Sequence, residues 1–332
     1  MIRVILAGAL AAAAVAGPGE EKLFGNWAVA CDNVKRCEAT VLMPESWSGD
    51  DAPGLDFARE AGPAGAVTIA ITPVGEAPGL IDILIDRRLM GSGVIRDGSV
   101  HLTGATAEGI ARAMANARVL TLRARRRVIA TISLGGASAA TRYIDSEQGR
   151  AGGVTALVAK GPKSAAAVPG AIAVPKVAAV RPPKGKPEVL TPAQIVTLAV
   201  QAQCETDTKG FTPEFHRLDR RSTLAMIPCG TSAYQQWDAI FVITDGRAAP
   251  ARFALSLDGA KDPVPLLTMA GWDPANGVLT SHHKGRGLGD CGTDERWVWD
   301  GAQFRLIRYT ALIPCRMSGN WLTHYRAEPV YK

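Results

Sequence analysis

Phe24-Gly-Asn-Trp-Ala-Val-Ala-Cys31, followed by Cys37-Glu-Ala-Thr-Val-Leu-Met43, is the part of the sequence from which the fold class follows. Apolar side chains alternate in it, so that Trp27, Val29 and Cys31 share one face, and the second segment alternates in the same way. Alternation of period two on both sides of a short polar loop predicts an antiparallel β-hairpin. Because a cysteine stands at the base of each strand, where cross-strand neighbours lie close together, we also predict a Cys31–Cys37 disulfide.

The same signals recur along the rest of the chain. Tight turns are predicted between apolar segments at Asp97-Gly98, Asp245-Gly246, Asp258-Gly259, Asn276-Gly277 and Asp300-Gly301. Short helices are predicted at residues 106–117 and 137–148, and a third after Thr191, which is a good N-cap before Pro192. Strands do not alternate with long helices, so a doubly wound nucleotide-binding fold is disfavoured. The predicted class is mainly β with a few short helices.

Length and composition set the domain organisation. The chain has 332 residues, of which 47% are hydrophobic and 20% charged. These fractions are typical of globular proteins and exclude collagen, coiled coil and bulk disorder. At about 100–200 residues per domain, the length predicts two domains. We expect an antiparallel β-rich domain at residues 17–150, a linker at 151–190, and an α+β domain, mostly antiparallel β, at 191–332.

The predicted linker carries the net charge of the protein. Residues 151–190 hold six of the 21 prolines and a net charge of +5, whereas residues 17–150 and 191–332 carry −1 and +1. Proline fixes φ and removes a hydrogen-bond donor, so we predict a semi-extended linker of Pro, Ala and Lys. An alternative is a basic tether to an anionic envelope surface. Because the charge does not lie on a folded domain, we predict no nucleic-acid partner.

The first residues predict export. Arg3 precedes an apolar run at residues 4–16 that ends in Ala14-Val-Ala16. This is the pattern of a secretory signal peptide, with cleavage after Ala16. A buried N-terminal helix or an uncleaved anchor is the alternative, although the run is shorter than the roughly 20 residues of a membrane-spanning helix. We expect a periplasmic or secreted mature chain without a transmembrane segment.

The cysteines agree with export. An even number of cysteines in an exported chain indicates disulfides, and the six are Cys31, Cys37, Cys204, Cys229, Cys291 and Cys315. If the two domains fold separately, the last four allow three pairings. We favour Cys204–Cys229 and Cys291–Cys315, because each pair brackets a predicted strand-turn-strand segment. No C-x-x-C motif occurs, so neither a structural zinc site nor a thioredoxin-type centre is predicted. No cofactor is expected.

Two groups of residues are candidate binding sites. Arg123, Arg125, Arg126 and Arg127 lie at a predicted hairpin tip and are candidates for contact with an anion such as lipid phosphate or an acidic glycan. The second group is a glycine-rich loop and the strand after it, with Arg286, Asp290, Trp297 and Trp299 as a candidate binding loop. For these groups the alternatives are a solvated hairpin tip and tryptophans packed in the core.

Catalytic motifs are scarce. The sequence contains no G-x-S-x-G or H-E-x-x-H motif. Asp290, Asp294 and Glu295 are the candidates for the paired carboxylates of a glycosidase, although acidic turn residues beside a disulfide are commoner. No catalytic or metal-binding residue is assigned from the sequence.

Several segments together resemble the bacterial family called domain of unknown function 1176. They are Phe24-Gly-Asn-Trp27 to Cys31, Arg36-Cys-Glu-Ala39, Arg59-Glu-Ala-Gly-Pro63, Gly136-Ala-Ser-Ala-Ala140, Asp145, Gln148-Gly-Arg150, Lys284 to Gly292, Trp297-Val-Trp-Asp-Gly301, Phe304, Leu306, Tyr309 and Cys315-Arg316. The resemblance covers nearly all of the mature chain except the linker and implies export and architecture rather than a chemistry. The first domain also resembles, more weakly, the invasion-associated locus B family, which implies an exported β-sandwich.

These observations predict a non-enzymatic binding or interaction module of the cell envelope. Its partner would be an envelope component, either protein or glycan, that the residues do not specify. The alternative is a secreted or periplasmic hydrolase of glycan or peptide that uses the loop with Asp290, Asp294 and Glu295. The oligomeric state is left open.

Overall fold

The structure is a computed structural model and describes residues 17–49, 51–75, 79–205, 210–255 and 263–332. The predicted signal peptide and the Asp258-Gly259 turn lie outside the described residues. Below, the first half is residues 17–150 and the second half is residues 191–332.

Antiparallel strands dominate the first half. In chain order its elements are β1 (Glu21–Phe24), β2 (Trp27–Cys31), β3 (Cys37–Val41), β4 (Gly54–Arg59), β5 (Val67–Thr72), β6 (Leu80–Ile85), β7 (Arg88–Val94), β8 (Val100–Thr103), α1 (Gly104–Met114), β9 (Val119–Ala124), β10 (Arg127–Ser133) and α2 (Ala137–Glu147). One sheet has the order β1-β2-β3-β4-β5-β8 and the other the order β10-β9-β6-β7. Both sheets and both helices contribute side chains to one hydrophobic core, as expected when period-two strands bury one face.

After residue 150 the chain forms β11 (Lys176–Ala179), α3 (Pro192–Gln201), β12 (Glu214–Arg217), β13 (Ser222–Thr231), β14 (Gln236–Thr244), β15 (Arg247–Pro250), β16 (Leu266–Thr268), β17 (Gly271–Asp273), β18 (Val278–Lys284), β19 (Gly292–Trp299), β20 (Phe304–Leu312), β21 (Leu322–Arg326) and β22 (Glu328–Tyr331). One sheet is built on β12-β13-β14-β15, with β16 also paired to β14, and the other is β17-β18-β19-β20-β21. A shared core lies between them, and α3 covers a second cluster on β13 and β14. The predicted mainly β, antiparallel fold class is confirmed.

Local signals in the sequence correspond to features of the structure. Thr191 caps α3 with a full capping box, in which its side chain accepts a hydrogen bond from the amide of Gln194. Asp245-Gly246 joins β14 to β15 with a positive φ at both residues, the conformation that two-residue hairpins require. The predicted disulfides Cys31–Cys37, Cys204–Cys229 and Cys291–Cys315 are all present.

Residues 151–190, the predicted linker, run along both halves. The amides of Leu157, Val158 and Ala159 donate to the carboxylate of Asp145 on α2. Further along, β11 pairs with β22 in parallel, and the amide of Val180 donates to Trp299. Much of this segment is therefore hydrogen-bonded to its neighbours, and the division into two domains at residues 150 and 191 stays a prediction.

The two halves are in direct contact. Ala28, Ala30 and Leu42 on the outer face of the first sheet form a buried cluster with Leu312 and Leu322 of the second half. Burial of this apolar surface favours a fixed arrangement of the halves. Within the described residues, no helix combines the length and apolar character needed to cross a membrane.

Candidate functional site

The motifs that carry the family resemblance pack against one another. Asn26 donates its amide to the carbonyl of Gly135, and a Cβ at Gly136, where φ is +103°, would overlap the carbonyl oxygen of Phe24. Arg316, next to the last disulfide, donates from Nε to the carbonyl of Met43 at 2.7 Å and from Nη2 to Asn26 Oδ1 at 2.6 Å. These motifs therefore connect parts of the fold and do not surround a cavity.

A second group of motif residues forms a buried ionic cluster in the first half. Asp145 is fully buried and accepts a hydrogen bond from Arg59 Nη1 at 3.1 Å, besides those from residues 157–159. Arg150, also fully buried, donates to Gln148 and to the carbonyls of residues 60, 62 and 63. Burial first, and then the charge of Arg150, lower the pKa of Arg59 to about 10 against the opposing charge of Asp145. Because its charged members, Arg59, Asp145 and Arg150, are enclosed by protein, this cluster holds the fold together.

The predicted binding loop does not form one exposed site. Arg286 donates from Nε and Nη2 to the two carboxylate oxygens of Asp290, at 2.7 and 2.6 Å. Asp290 also accepts from the amide of Met317, and these hydrogen bonds, with that of Arg286 the strongest, hold its pKa below the ordinary value. Trp297 and Trp299 are only 1% and 4% exposed and belong to the core between the sheets. The arginine and the aspartate thus pair with each other, and neither tryptophan presents a stacking face.

The three carboxylates of the hydrolase alternative do not converge. Asp294 and Glu295 are consecutive on β19, so their side chains lie on opposite faces of the sheet. Asp294 pairs with Arg296 and lies 3.5 Å from His282 Nδ1, whereas Asp290 is held by Arg286. Of the three carboxylates, Glu295 is the one that lines a cleft. This cleft has a volume of about 470 Å³ and is also lined by Ser281 and His283 from β18. We call it the Glu295 cleft.

The predicted arginine cluster lies on the β9–β10 hairpin. Arg123 forms an ion pair with Asp82 on the neighbouring strand β6. Arg125 and Arg126 form the exposed turn, with φ values of 46° and 69°, and Arg127 begins β10. The hairpin therefore projects charge into solvent and does not enclose a ligand. Anion contact at this tip stays a prediction.

One cleft described in the structure is basic and is lined by the second half together with the segment before it. It has a volume of about 630 Å³ and is lined by Val180, Arg181, Pro183, Asp219, Arg220, Arg221, Ser222, Thr244, Gly301 and Lys332. We call it the basic cleft. Its walls come from the segment before α3, the β12–β13 turn, the β19–β20 turn and the residue after β22. Four cationic side chains from three separate parts of the chain thus face one opening.

The acidic residue of the basic cleft is occupied by the protein itself. Asp219 Oδ2 accepts from Trp299 Nε1 at 2.7 Å, and Oδ1 accepts from the amides of Arg221 and Ser222 at 2.8 and 2.7 Å. Burial raises the pKa of Asp219, but these three donors outweigh it and bring the pKa below the ordinary value. The carboxylate is therefore ionised and fixes the β12–β13 turn that carries the two arginines.

The cations of the rim differ in how they are held. Arg221 pairs with Asp245 at the surface, so part of its charge is neutralised. The guanidinium of Arg181 lies 4.2 Å above the ring of Tyr331, a cation–π contact that orients it but leaves its N–H groups available. Arg220 and Lys332 are exposed. An anion in the cleft would meet several N–H donors and little competing negative charge.

Sequence reasoning missed this cleft. Arg181 belongs to the predicted linker, and Arg220-Arg221 was an unremarked pair beside Asp219. The only signal was the run of basic residues that starts at Arg181, and nothing in the sequence places it beside residue 220. Among the described residues, no group of three His, Cys, Asp or Glu side chains is placed to hold a metal ion.

Comparison with known proteins gives a family and one relative. A family model described as "Protein of unknown function (DUF1176)" matches residues 21–328. The uncharacterized protein YpfG of Escherichia coli strain K12 is 33% identical over 202 residues, which are 58% of this chain and 56% of that protein. The chain thus spans about 56% of the length of the relative. No solved structure matches the chain.

Proposed function

The chain belongs to the DUF1176 family of proteins of unknown function. Because the function of the family is unknown, we propose a role from the residues of the basic cleft. We propose that it is a periplasmic or secreted protein of the cell envelope that binds an anionic group of an envelope component in the basic cleft, without chemical conversion. The component is a protein or a glycan.

The carrying observation is the charge of the basic cleft. Arg181, Arg220, Arg221 and Lys332 line one opening, and the single acidic side chain among the lining residues, Asp219, is already bonded to three donors. Guanidinium groups bind carboxylate and phosphate oxygens through paired N–H donors. An anion is therefore the ligand whose charge and hydrogen bonding the cleft complements.

The same residues argue for binding without catalysis. A general base needs a free oxygen or nitrogen and a pKa near the working pH, and Asp219 has neither. The hydroxyl of Ser222, the other candidate group in the cleft, lies 3.4 Å from the hydroxyl of Thr244, and no histidine is among the lining residues. The cleft supplies charge and shape but no proton acceptor.

Disulfides support the proposed location. Three disulfides involve all six cysteines, and such bonds form and persist in oxidising compartments such as the periplasm. Together with the signal peptide predicted at residues 1–16, they favour export.

The test measures binding to envelope material by the intact protein from an oxidising compartment. Binding to isolated cell wall and to vesicles containing an anionic phospholipid is compared with binding to neutral vesicles. We expect Arg181→Gln with Arg220→Gln to weaken binding by about tenfold. Arg87→Gln with Arg88→Gln is the matched control, since it removes the same charge from exposed residues at the β6–β7 turn. Equal binding by the cleft variant and the wild type would rule out the basic cleft as the site.

The Glu295 cleft favours one second candidate, a hydrolase of glycan or peptide. It brings a buried carboxylate, the Ser281 hydroxyl and the exposed ring of His283 around about 470 Å³. Ser281 Oγ bonds to both backbone groups of Thr268, so in this candidate proton transfer would fall to the titratable side chains of the cleft, Glu295 and His283. Release of soluble fragments from purified cell wall, abolished by Glu295→Gln, would support this candidate; release that persists in the variant would exclude these residues.

A further inference from the structure

A second cleft adjoins the basic cleft. It has a volume of about 260 Å³ and is lined by Pro182, Pro183, Lys184, Gly185, Pro187, Phe215, His216, Arg217, Trp272 and Pro274. We call it the aromatic cleft. Pro183 lines both clefts, so the two openings are separated by a single proline-rich wall. A ligand longer than one group would have to cross this wall to occupy both clefts.

The wall between the clefts is fixed at both ends. Val180 donates its amide to Trp299 at one end, and Glu188 donates its amide to Thr223 Oγ1 at the other. Between them, Pro182 packs against Gly277 of the β17–β18 turn, and Arg217 Nη1 donates to the carbonyl of Lys186. Prolines restrict the backbone further. The shape of both clefts is therefore set before any ligand binds, which lowers the entropy that binding has to overcome.

The aromatic cleft combines rings with cations. His216 and Trp272 stack with ring centroids 6.2 Å apart and an angle of 27° between the rings. Arg217 donates to the carbonyls of Lys186, Asp219 and Arg220, and within the described residues no carboxylate pairs with it. Its charge is therefore not cancelled. Lys184, on the wall, is exposed.

Two carboxylates lie near the aromatic cleft. The carboxylate of Glu214 lies 3.0 Å from His216 Nε2 and accepts a hydrogen bond when that nitrogen carries a proton. Asp273 accepts from the side chain and the amide of Asn276 and from the amide of Ala275, and these bonds, that of the Asn276 side chain first, lower its pKa. Both carboxylates keep their negative charge, but the cations that line the two clefts, from Lys332 and Arg181 to Lys184 and Arg217, outnumber them.

We propose that the two clefts form one binding track for an acidic glycan, whose carboxylate or phosphate groups lie at the basic cleft and one of whose sugar rings packs at Trp272. This inference rests on the proposed function and specifies its ligand. The faces of a sugar ring carry C–H groups that pack on aromatic rings, while its acid groups take guanidinium donors. An acidic peptide would use the cations but has no matching need for the stacked pair, so the glycan explains both clefts.

The test uses four probes and measures affinity by calorimetry with the intact protein. They are an acidic oligosaccharide of galacturonate, a galacturonate disaccharide, polyglutamate, and a neutral oligosaccharide of glucose. We expect Trp272→Ala to weaken binding of the acidic oligosaccharide about tenfold, with little effect on the disaccharide or polyglutamate. Arg220→Gln should weaken every acidic probe. The neutral oligosaccharide should bind to no variant.

Further variants separate binding from folding, because Trp272 also packs against the core. Lys184→Gln changes an exposed side chain and is expected to weaken the acidic oligosaccharide about threefold while leaving the melting temperature unchanged. If Arg220→Gln weakens binding but Trp272→Ala and Lys184→Gln do not, the track is wrong and the proposed function stands. Polyglutamate bound as tightly as the glycan, with the same loss in Trp272→Ala, would make the ligand an acidic peptide. Failure of all acidic probes would overturn both proposals.

Discussion

Arginines are buried in one region of the molecule and exposed in another. In the first half, Arg59 and Arg150 are buried and their guanidinium groups bond to Asp145, Gln148 and backbone carbonyls. At the basic cleft, Arg181 of the segment before the second half and Arg220 of the second half are exposed at the rim. The same side chain thus stabilises the fold in one region and is available to a ligand in the other.

The buried arginines and the rim arginines differ in whether the protein supplies a counter-charge for them. A buried charge is tolerated only when the fold provides its counter-charge and hydrogen bonds, as Asp145 does. At the basic cleft the carboxylate of Asp219 accepts hydrogen bonds from Trp299 and two amides and forms no ion pair with Arg181 or Arg220. The guanidinium groups of these two arginines are therefore available to a ligand. This difference leads to variants that should separate stability from binding.

The largest effect is expected from Asp145→Ala. The change leaves Arg59 buried without its carboxylate and leaves the amides of residues 157–159 without an acceptor. Breaking a buried ion pair in this way costs about 3–5 kcal/mol. The free energy of unfolding, measured by urea denaturation, should fall by that amount. Glu147→Ala is the control, since Glu147 forms only a surface pair with Lys35, and should change it by less than about 1 kcal/mol.

Arg316→Ala should have the next largest effect. Arg316 connects the second half to the first through hydrogen bonds to Met43 and Asn26. Its loss leaves acceptors at the contact between the halves unpaired, at a cost of about 2 kcal/mol. Arg308→Ala on the exposed face of β20 is the control. If the two variants unfold at the same urea concentration, Arg316 does not hold the halves together.

At the basic cleft, we expect a substitution that weakens ligand binding but leaves the free energy of unfolding nearly unchanged. Arg181→Gln with Arg220→Gln removes two exposed charges that make no buried ion pair, so the free energy of unfolding should stay within about 0.5 kcal/mol of the wild type. Affinity for an anionic ligand should fall about tenfold, or about 1.4 kcal/mol. Urea denaturation and calorimetry of one preparation measure both. A large loss of stability would place these arginines with those of the first half.

Local elements of both regions could be predicted from the sequence, but the contacts between distant segments could not. The hairpin at Cys31 and Cys37 and the cap at Thr191 depend on neighbouring residues, so alternation and turn chemistry were enough to predict them. Arg181 and Arg220 come together only because β11 pairs with β22 and the β12–β13 turn folds beside them. Likewise, Trp297 and Trp299 looked like a stacking face until the second sheet covered them. Such long-range contacts leave no periodic signal.

A smaller effect on stability is expected from Glu21, a partly buried carboxylate that does not pair with an arginine. Burial raises the pKa of Glu21 to about 7, against the opposing hydrogen bond from the amide of Ile313. The native state therefore holds a proton that the unfolded chain, with a pKa near 4.5, has lost. The contribution of Glu21 to stability is therefore fully present below pH 4.5 and is lost as the pH rises through about 7.

Glu21→Gln isolates this contribution. Asp56 and Asp238, whose pKa burial raises to about 6, act in the same direction in both proteins. We expect the loss of stability between pH 5 and pH 8 to be smaller in the variant by on the order of 1 kcal/mol, since Glu21 is only partly buried. Urea denaturation at the two pH values measures it. Parallel losses would show that Glu21 ionises in the native state as it does in the unfolded chain.

The smallest effect is expected at the β9–β10 turn, where arginines are neither buried nor in a cleft. Arg125 and Arg126 both have positive φ, a conformation that Asn-Gly adopts with less strain. Arg125→Asn with Arg126→Gly should therefore raise the free energy of unfolding by about 0.5–1 kcal/mol. Gly246→Ala in the equivalent turn should lower it by a similar amount, and no gain in the first variant would mean that the turn is unstrained. A gain accompanied by weaker binding to anionic vesicles would give these arginines a ligand contact that offsets their strain, and would place the hairpin with the basic cleft rather than with Arg59 and Arg150.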